Sequence, residues 1–111
     1  MQEGNSIDIA SEYDAYPAGR DDSDGPYNGT KFRNQILRPR YVKAFDDGVE
    51  LVVFIDGVKS FGSSFLEEAF GGLVREFPDR KKDIERRIRV VGERPGSIRY
   101  LDAIKRYIKE A

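Results

Sequence analysis

Ser63 and Ser64 stand together between an apolar run that ends at Asp56 and an amphipathic stretch that begins at Phe65. Paired hydroxyls at a helix start do two kinds of work. One caps a free backbone N–H group. The other can face solvent, where a phosphate would sit near the positive end of the helix dipole. Ser64 with Glu67 three residues on reads as a capping box. That leaves Ser63 as the candidate phosphoacceptor. Arg20, Arg33 and Asp56 are the other residues suited to a site, as candidate anion- or ligand-binding groups near the strand ends. The chain has no His and no Cys. A Ser-His-Asp triad, a thiol nucleophile and a His/Cys metal centre are therefore excluded by composition. Asp22-Ser23-Asp24-Gly25 echoes the start of a calcium loop but lacks its later acidic positions. The residues thus point to no enzyme, no catalytic residue, no metal and no cofactor.

These residues need elements to hold them. Residues 5–9 alternate and predict a short edge strand, followed by a Gly-, Pro- and Asp-rich loop over 10–29. Asn28 or Thr30 caps a first helix whose apolar face is Phe32, Ile36 and Leu37. Pro39 predicts a kink or break at Arg38. Tyr41, Val42 and Phe45 resume the face, and Gly48 ends it. Leu51 to Ile55 is an unbroken run of β-formers, expected as a central strand covered on both faces. A second helix runs from about Ser64 to Phe77, with Pro78 after it. Asp79 to Arg87 reads as a short helix or charged linker. Ile88 to Gly92 reads as a strand. Ile98, Leu101, Ile104 and Ile108 follow at helical spacing. The order β, loop, α, β, α, β, α predicts one α/β domain over residues 1–111, with helices packed on a sheet.

Projected on a helix, Phe65, Leu66, Ala69, Phe70, Leu73, Val74 and Phe77 fill one half of the second helix. Glu68, Gly71, Gly72, Arg75 and Glu76 fall on the other. Adjacent glycines inside a helix cost about 1 kcal/mol each relative to Ala. Their outward place predicts a shallow trough for a partner, so Ser63, Ser64, Glu68, Gly71, Gly72 and Arg75 form the candidate partner-binding surface.

Charge is uneven. Residues 1–30 carry seven acids and one base, whereas residues 79–111 carry eleven bases and six acids. Interleaving of those acids and bases reads as a solvated helix face and argues against nucleic acid as a partner. The opening Met-Gln-Glu-Gly shows no signal-peptide pattern and no run is long enough to span a bilayer, so a membrane is not expected and the cytoplasm is the expected compartment.

The stretch from Ile55-Asp56-Gly57-Val58 through Ser63-Ser64-Phe65-Leu66 resembles the central segment of STAS domains, the sulfate-transporter and anti-sigma-factor-antagonist modules. It is most similar to the STAS-like family of unknown function. The resemblance includes Gly19-Arg20, the Gly29-Thr30-Lys31-Phe32-Arg33 helix start and the run Gly62 through Leu73. It implies a STAS-like mixed sheet with packed helices and a bacterial-type regulator that binds a protein partner. In anti-sigma-factor antagonists an Asp-Ser-Ser-Gly turn holds a serine phosphorylated by a GHKL-type ATPase kinase. Matched position by position, Ser63 takes that serine's place, the Asp is Gly62 and the Gly is Phe65. The implied partner is a GHKL-type ATPase or kinase. The alternative is a small-ligand or nucleotide-binding domain using Arg20 and the strand ends.

Overall fold

The computed structural model describes residues 5–111. Met1 to Gly4, read above for a targeting pattern, lie outside the described residues. Three strands, β1 (Ser6–Asp8), β2 (Leu51–Phe54) and β3 (Ile88–Val91), pair in the order β1-β2-β3. Both pairings are parallel, so the sheet of the described residues is parallel throughout and not mixed. Val53 stands opposite Ile7 on one side and Val90 on the other.

Both crossovers step in the same direction across the sheet. Right-handed crossovers of that kind place their helices on one face. Ile7, Leu51, Val53, Ile55 and Ile88 are accordingly buried, whereas Asp8, Phe54 and Arg89 are exposed, Phe54 to 41%. The expectation that β2 is covered on both faces is thus corrected: it is central, but one face meets solvent.

A short helix, α1 (Ile9–Glu12), follows β1 directly inside the stretch expected to be loop. The long helix α2 spans residues 29–47. It joins α-helical Gly29–Phe32, a π-helical turn Arg33–Leu37 and α-helical Arg38–Asp47. Asn28 caps it, its Oδ1 accepting from the Lys31 N–H at 2.9 Å. Pro39 does not break it. Leu37 and Arg38 keep helical dihedrals, and the widened π-turn just before gives the proline ring room. Gly48, at φ 69°, closes α2 in the left-handed conformation that favours glycine.

Helix α3 spans residues 63–76 and repeats the device: α-helical Ser63–Leu66, a π-turn Glu67–Gly71, then α-helical Gly72–Glu76. The charged stretch after Pro78 is a helix, α4 (Lys81–Arg87), and α5 (Ile98–Glu110) ends the chain. In α5, Ile104 and Ile108 enter the core, but Ile98 is 57% exposed and is no core residue. No described helix is long and apolar enough to cross a membrane.

Candidate functional site

The loop between β2 and α3 brings the Ser-Ser pair to the surface, and two elements hold it. A strap over residues 13–28 crosses it on one side. Lys59 N–H donates to the Ala15 carbonyl at 2.8 Å, and Gly62 N–H to that of Pro17 at 3.1 Å. A Cβ on Gly62 would sit 3.3 Å from Ala18, so glycine lets the two backbones approach. Phe61 and Phe65 flank Ser63 and anchor it below. Their rings lie 5.9 Å apart, Phe65 reaches Tyr13 of the strap at 6.2 Å, and Phe61 meets Tyr100 of α5 edge-on at 5.0 Å. Such pairs contribute about 0.5–1.5 kcal/mol each beyond area burial.

Ser63 is the first residue of α3 and is exposed. The capping box is not formed. Gly62 occupies the cap position, no side chain caps the helix, and Ser64 already lies within it. Glu67 is drawn elsewhere: its carboxylate takes Arg20 at 2.6 Å and Arg75 at 2.7 Å. Ion pairing with two guanidiniums outweighs one backbone N–H for a carboxylate that can reach both. Hydrogen bonding from Arg75, then from Arg20, holds the Glu67 carboxyl below its usual range.

The expected trough is filled. Gly71 and Gly72 are buried. The space a side chain at Gly72 would need is occupied by the Arg33 guanidinium, and that at Gly71 by the Glu67 carboxylate, 2.7 Å away. Arg33 is itself buried and bonds the Glu68 carbonyl, the Glu68 carboxylate at 3.0 Å and Glu76 at 2.6 Å. The helical projection predicts an open surface at these glycines, and the structure buries both. The projection could not show that α2 supplies an arginine to cover them.

Arg20 and Arg33 are therefore brought together, on Glu68, which lies 3.2 Å from the first and 3.0 Å from the second. Asp56 is not with them. Its carboxylate accepts from the N–H groups of Glu93 (2.9 and 2.8 Å) and Arg94 (3.1 Å) and from the Ser97 hydroxyl (2.7 Å). The Glu93 and Arg94 amides, with Ser97, hold it below the usual carboxylate value. All three candidate ligand-binding residues are thus engaged inside the protein, and Asp56 clamps the loop between β3 and α5.

Sequence reading missed the residues beside Ser63. Ser63 lines a groove of about 400 Å³ with Ser60, Phe61, Arg99, Tyr100 and Arg106. A neighbouring hollow of about 210 Å³ shares Arg99 and Tyr100 and adds Lys59 and Arg94. The signal was present in α5, where Arg99, Ala103 and Arg106 repeat at i, i+4 and i+7 opposite the buried isoleucines.

This is a small α/β domain that presents a serine turn at the start of its second crossover helix. A family model described as a STAS-like domain of unknown function (DUF4325) matches residues 28–96. The chain belongs to that STAS-like family. Neither a curated protein nor a solved structure matches it. The matched stretch runs from the Asn28 cap to Gly96, so the strap and α5 flank it.

Proposed function

We propose that this domain is a non-catalytic regulatory module that docks a protein partner through the Ser63 end of α3. The observation that carries the reading is the placement of Ser63. It is exposed on the first turn of a fourteen-position helix (residues 63–76) and lines a groove with Arg99 and Arg106. Its backbone is fixed by the strap and by the aromatic pairs on either side, and a rigid contact loses little entropy on binding. The docking surface is narrower than the sequence suggests. Ser63 and the adjoining face of α5 form it, Glu68 and Arg75 are taken up in ion pairs within the protein, and Gly71 and Gly72 are buried and take no direct part. Phosphorylation of Ser63 by a GHKL-type kinase, as the family resemblance implies, is the finer form of the proposal.

A photo-crosslinking side chain at position 63, with a second at the exposed Lys82 as control, tests this reading. One protein should crosslink from position 63 and not from 82. Once purified, it should bind the unmodified domain and lose about tenfold in affinity for Ser63→Glu, the order expected for a misplaced charge at an interface. Equal crosslinking from both positions, or binding indifferent to Ser63→Glu, overturns the docking site. Intact mass after incubation with that partner and ATP tests the phosphorylation, and an unchanged mass removes it.

A further inference from the structure

We infer that the groove beside Ser63 receives an acidic peptide segment of the partner; this names the chemistry of the partner and rests on the docking reading above. Among the described residues most arginines elsewhere are paired, whereas Arg80, Lys82, Lys105 and Lys109 form no ion pair but do not line the groove beside Ser63 or its neighbouring hollow. Arg20, Arg33, Arg38, Arg40, Arg75 and Arg87 each hold a carboxylate within 3.2 Å. Among the described residues, Lys59, Arg94, Arg99 and Arg106 form no ion pair, and all four are exposed around two adjoining hollows. Asp56 is the one carboxylate lining either hollow, and its oxygens already accept from Glu93, Arg94 and Ser97. Four cations thus face one committed anion.

The guanidiniums are also held in place. Arg99 lies 4.8 Å from the ring of Tyr100 and donates to its hydroxyl at 2.9 Å, while Arg106 lies 5.0 Å from the ring of Tyr107. Cation–π contact orients both guanidiniums and leaves most of their N–H donors free, one of those of Arg99 being used on Tyr100. A planar fork of that kind matches a carboxylate bidentately.

A polypeptide fits better than a small anion or a nucleic acid. The cations spread over both hollows, wider than one phosphate. Leu66 and Ala103 line the larger one between them, an apolar floor for the side chains that alternate with carboxylates along an extended segment. Ser63 lies on the rim. A phosphate there adds about −1.5 to −2 charges, which would occupy Arg99 and Arg106 and expel the acidic segment.

Fluorescence anisotropy with a labelled peptide alternating Glu and Leu tests this on the full chain, with the Gln-for-Glu peptide, inorganic phosphate and single-stranded oligo-dT as comparisons. The Glu peptide should bind, weaken with salt, and lose at least about tenfold in the Arg99→Glu/Arg106→Glu variant. Lys82→Glu, also a charge reversal at an exposed site, should leave it unchanged. Circular dichroism checks that each variant folds. Equal binding of the Gln peptide, indifference to the double reversal, or displacement by phosphate or oligo-dT at lower concentration than the peptide itself overturns the inference. If the Glu peptide fails while the partner crosslinked at position 63 still binds, the acidic-segment inference falls and the docking site stands. If the peptide binds but Ser63→Glu does not weaken it, the groove stands and the charge switch falls.

Discussion

The Arg33 guanidinium occupies the space that a side chain at Gly72 would need. This contact joins the π-turn of α2 to the residue just after that of α3, and it explains why α3 tolerates a glycine at position 72 in its interior. Widened turns and missing side chains let an arginine of one helix reach the backbone carbonyl of another, at Glu68. The arginine then links Glu68 and Glu76, and Glu68 passes the network on to Arg20 of the strap. The start of α3 is thereby tied to both elements that flank it.

Gly72→Ala should destabilise the fold by about 1–3 kcal/mol, because the new methyl displaces a buried, hydrogen-bonded guanidinium. Arg33→Ala should cost roughly 2 kcal/mol, since Glu68 keeps Arg20 and Glu76 keeps Arg38. The double variant should cost clearly less than the two together, because no guanidinium then meets the methyl. Gly71→Ala meets the movable end of Glu67 and should be nearly neutral, helped by the better helix propensity of Ala. Urea unfolding midpoints at constant slope measure all four. Additive costs would show that Arg33 and Gly72 do not share the space.

Ser63→Glu should change stability by less than about 0.5 kcal/mol, as expected for an exposed position at the positive end of a helix. The same urea titration reads it. A large loss would mean that Ser63 serves the fold.

Asp83 accepts from Arg87 at 2.8 Å and from the Tyr41 hydroxyl at 2.6 Å. Hydrogen bonding from Arg87 holds its carboxyl below the ordinary value of 3.8. A lowered pKa stabilises the fold above that ordinary value, and the stabilisation is lost as pH falls through the lowered one. Asp83→Asn should therefore be about 2 kcal/mol less stable at neutral pH, and its deficit should narrow in acid below pH 3.8. Unfolding midpoints of both proteins across this range give the answer.

Tyr13 behaves in the opposite sense. Burial, then the charges of Asp22 and Asp14, push its hydroxyl from 10.0 up to about 12, and the hydroxyl donates to the Asn28 carbonyl at 2.8 Å. A raised pKa stabilises the fold below 10 and the contribution disappears as pH climbs toward about 12. Tyr13→Phe should lose stability at neutral pH and show a shallower alkaline decline than the parent. Parallel declines would remove Tyr13 from the strap's anchorage.

Asp56→Ala frees the Glu93 and Arg94 amides and the Ser97 hydroxyl. Hydrogen exchange at Glu93 and Arg94 should rise about tenfold or more, the factor that corresponds to losing bonds to a charged acceptor. Affinity of the Glu peptide should fall with it, because the backbone that carries Arg94 loses its fixed position. Unchanged exchange would show that the loop is held by something else.

Local chemistry alone determined much of this protein. The Asn28 cap, the Gly48 stop, the apolar run at Leu51–Ile55 and the phased isoleucines of α5 could each be read in the sequence, because caps, turns and periodicity depend on neighbours a few positions away. Ser63 is exposed, but the cap beside it is Gly62 and not the Ser64–Glu67 box that the sequence suggested. The tertiary structure decided what no window of neighbours contains. Glu67 left its capping role because Arg20, 47 positions away, offers a stronger partner. The Gly71–Gly72 surface closed because α2 brings Arg33 across it, and β2 kept one open face because both crossovers turn the same way. Asp56 became a clamp and Arg99 and Arg106 became neighbours of Ser63 through packing between distant segments, and a partner's distance in the chain leaves no trace in the spacing of the residues it will meet.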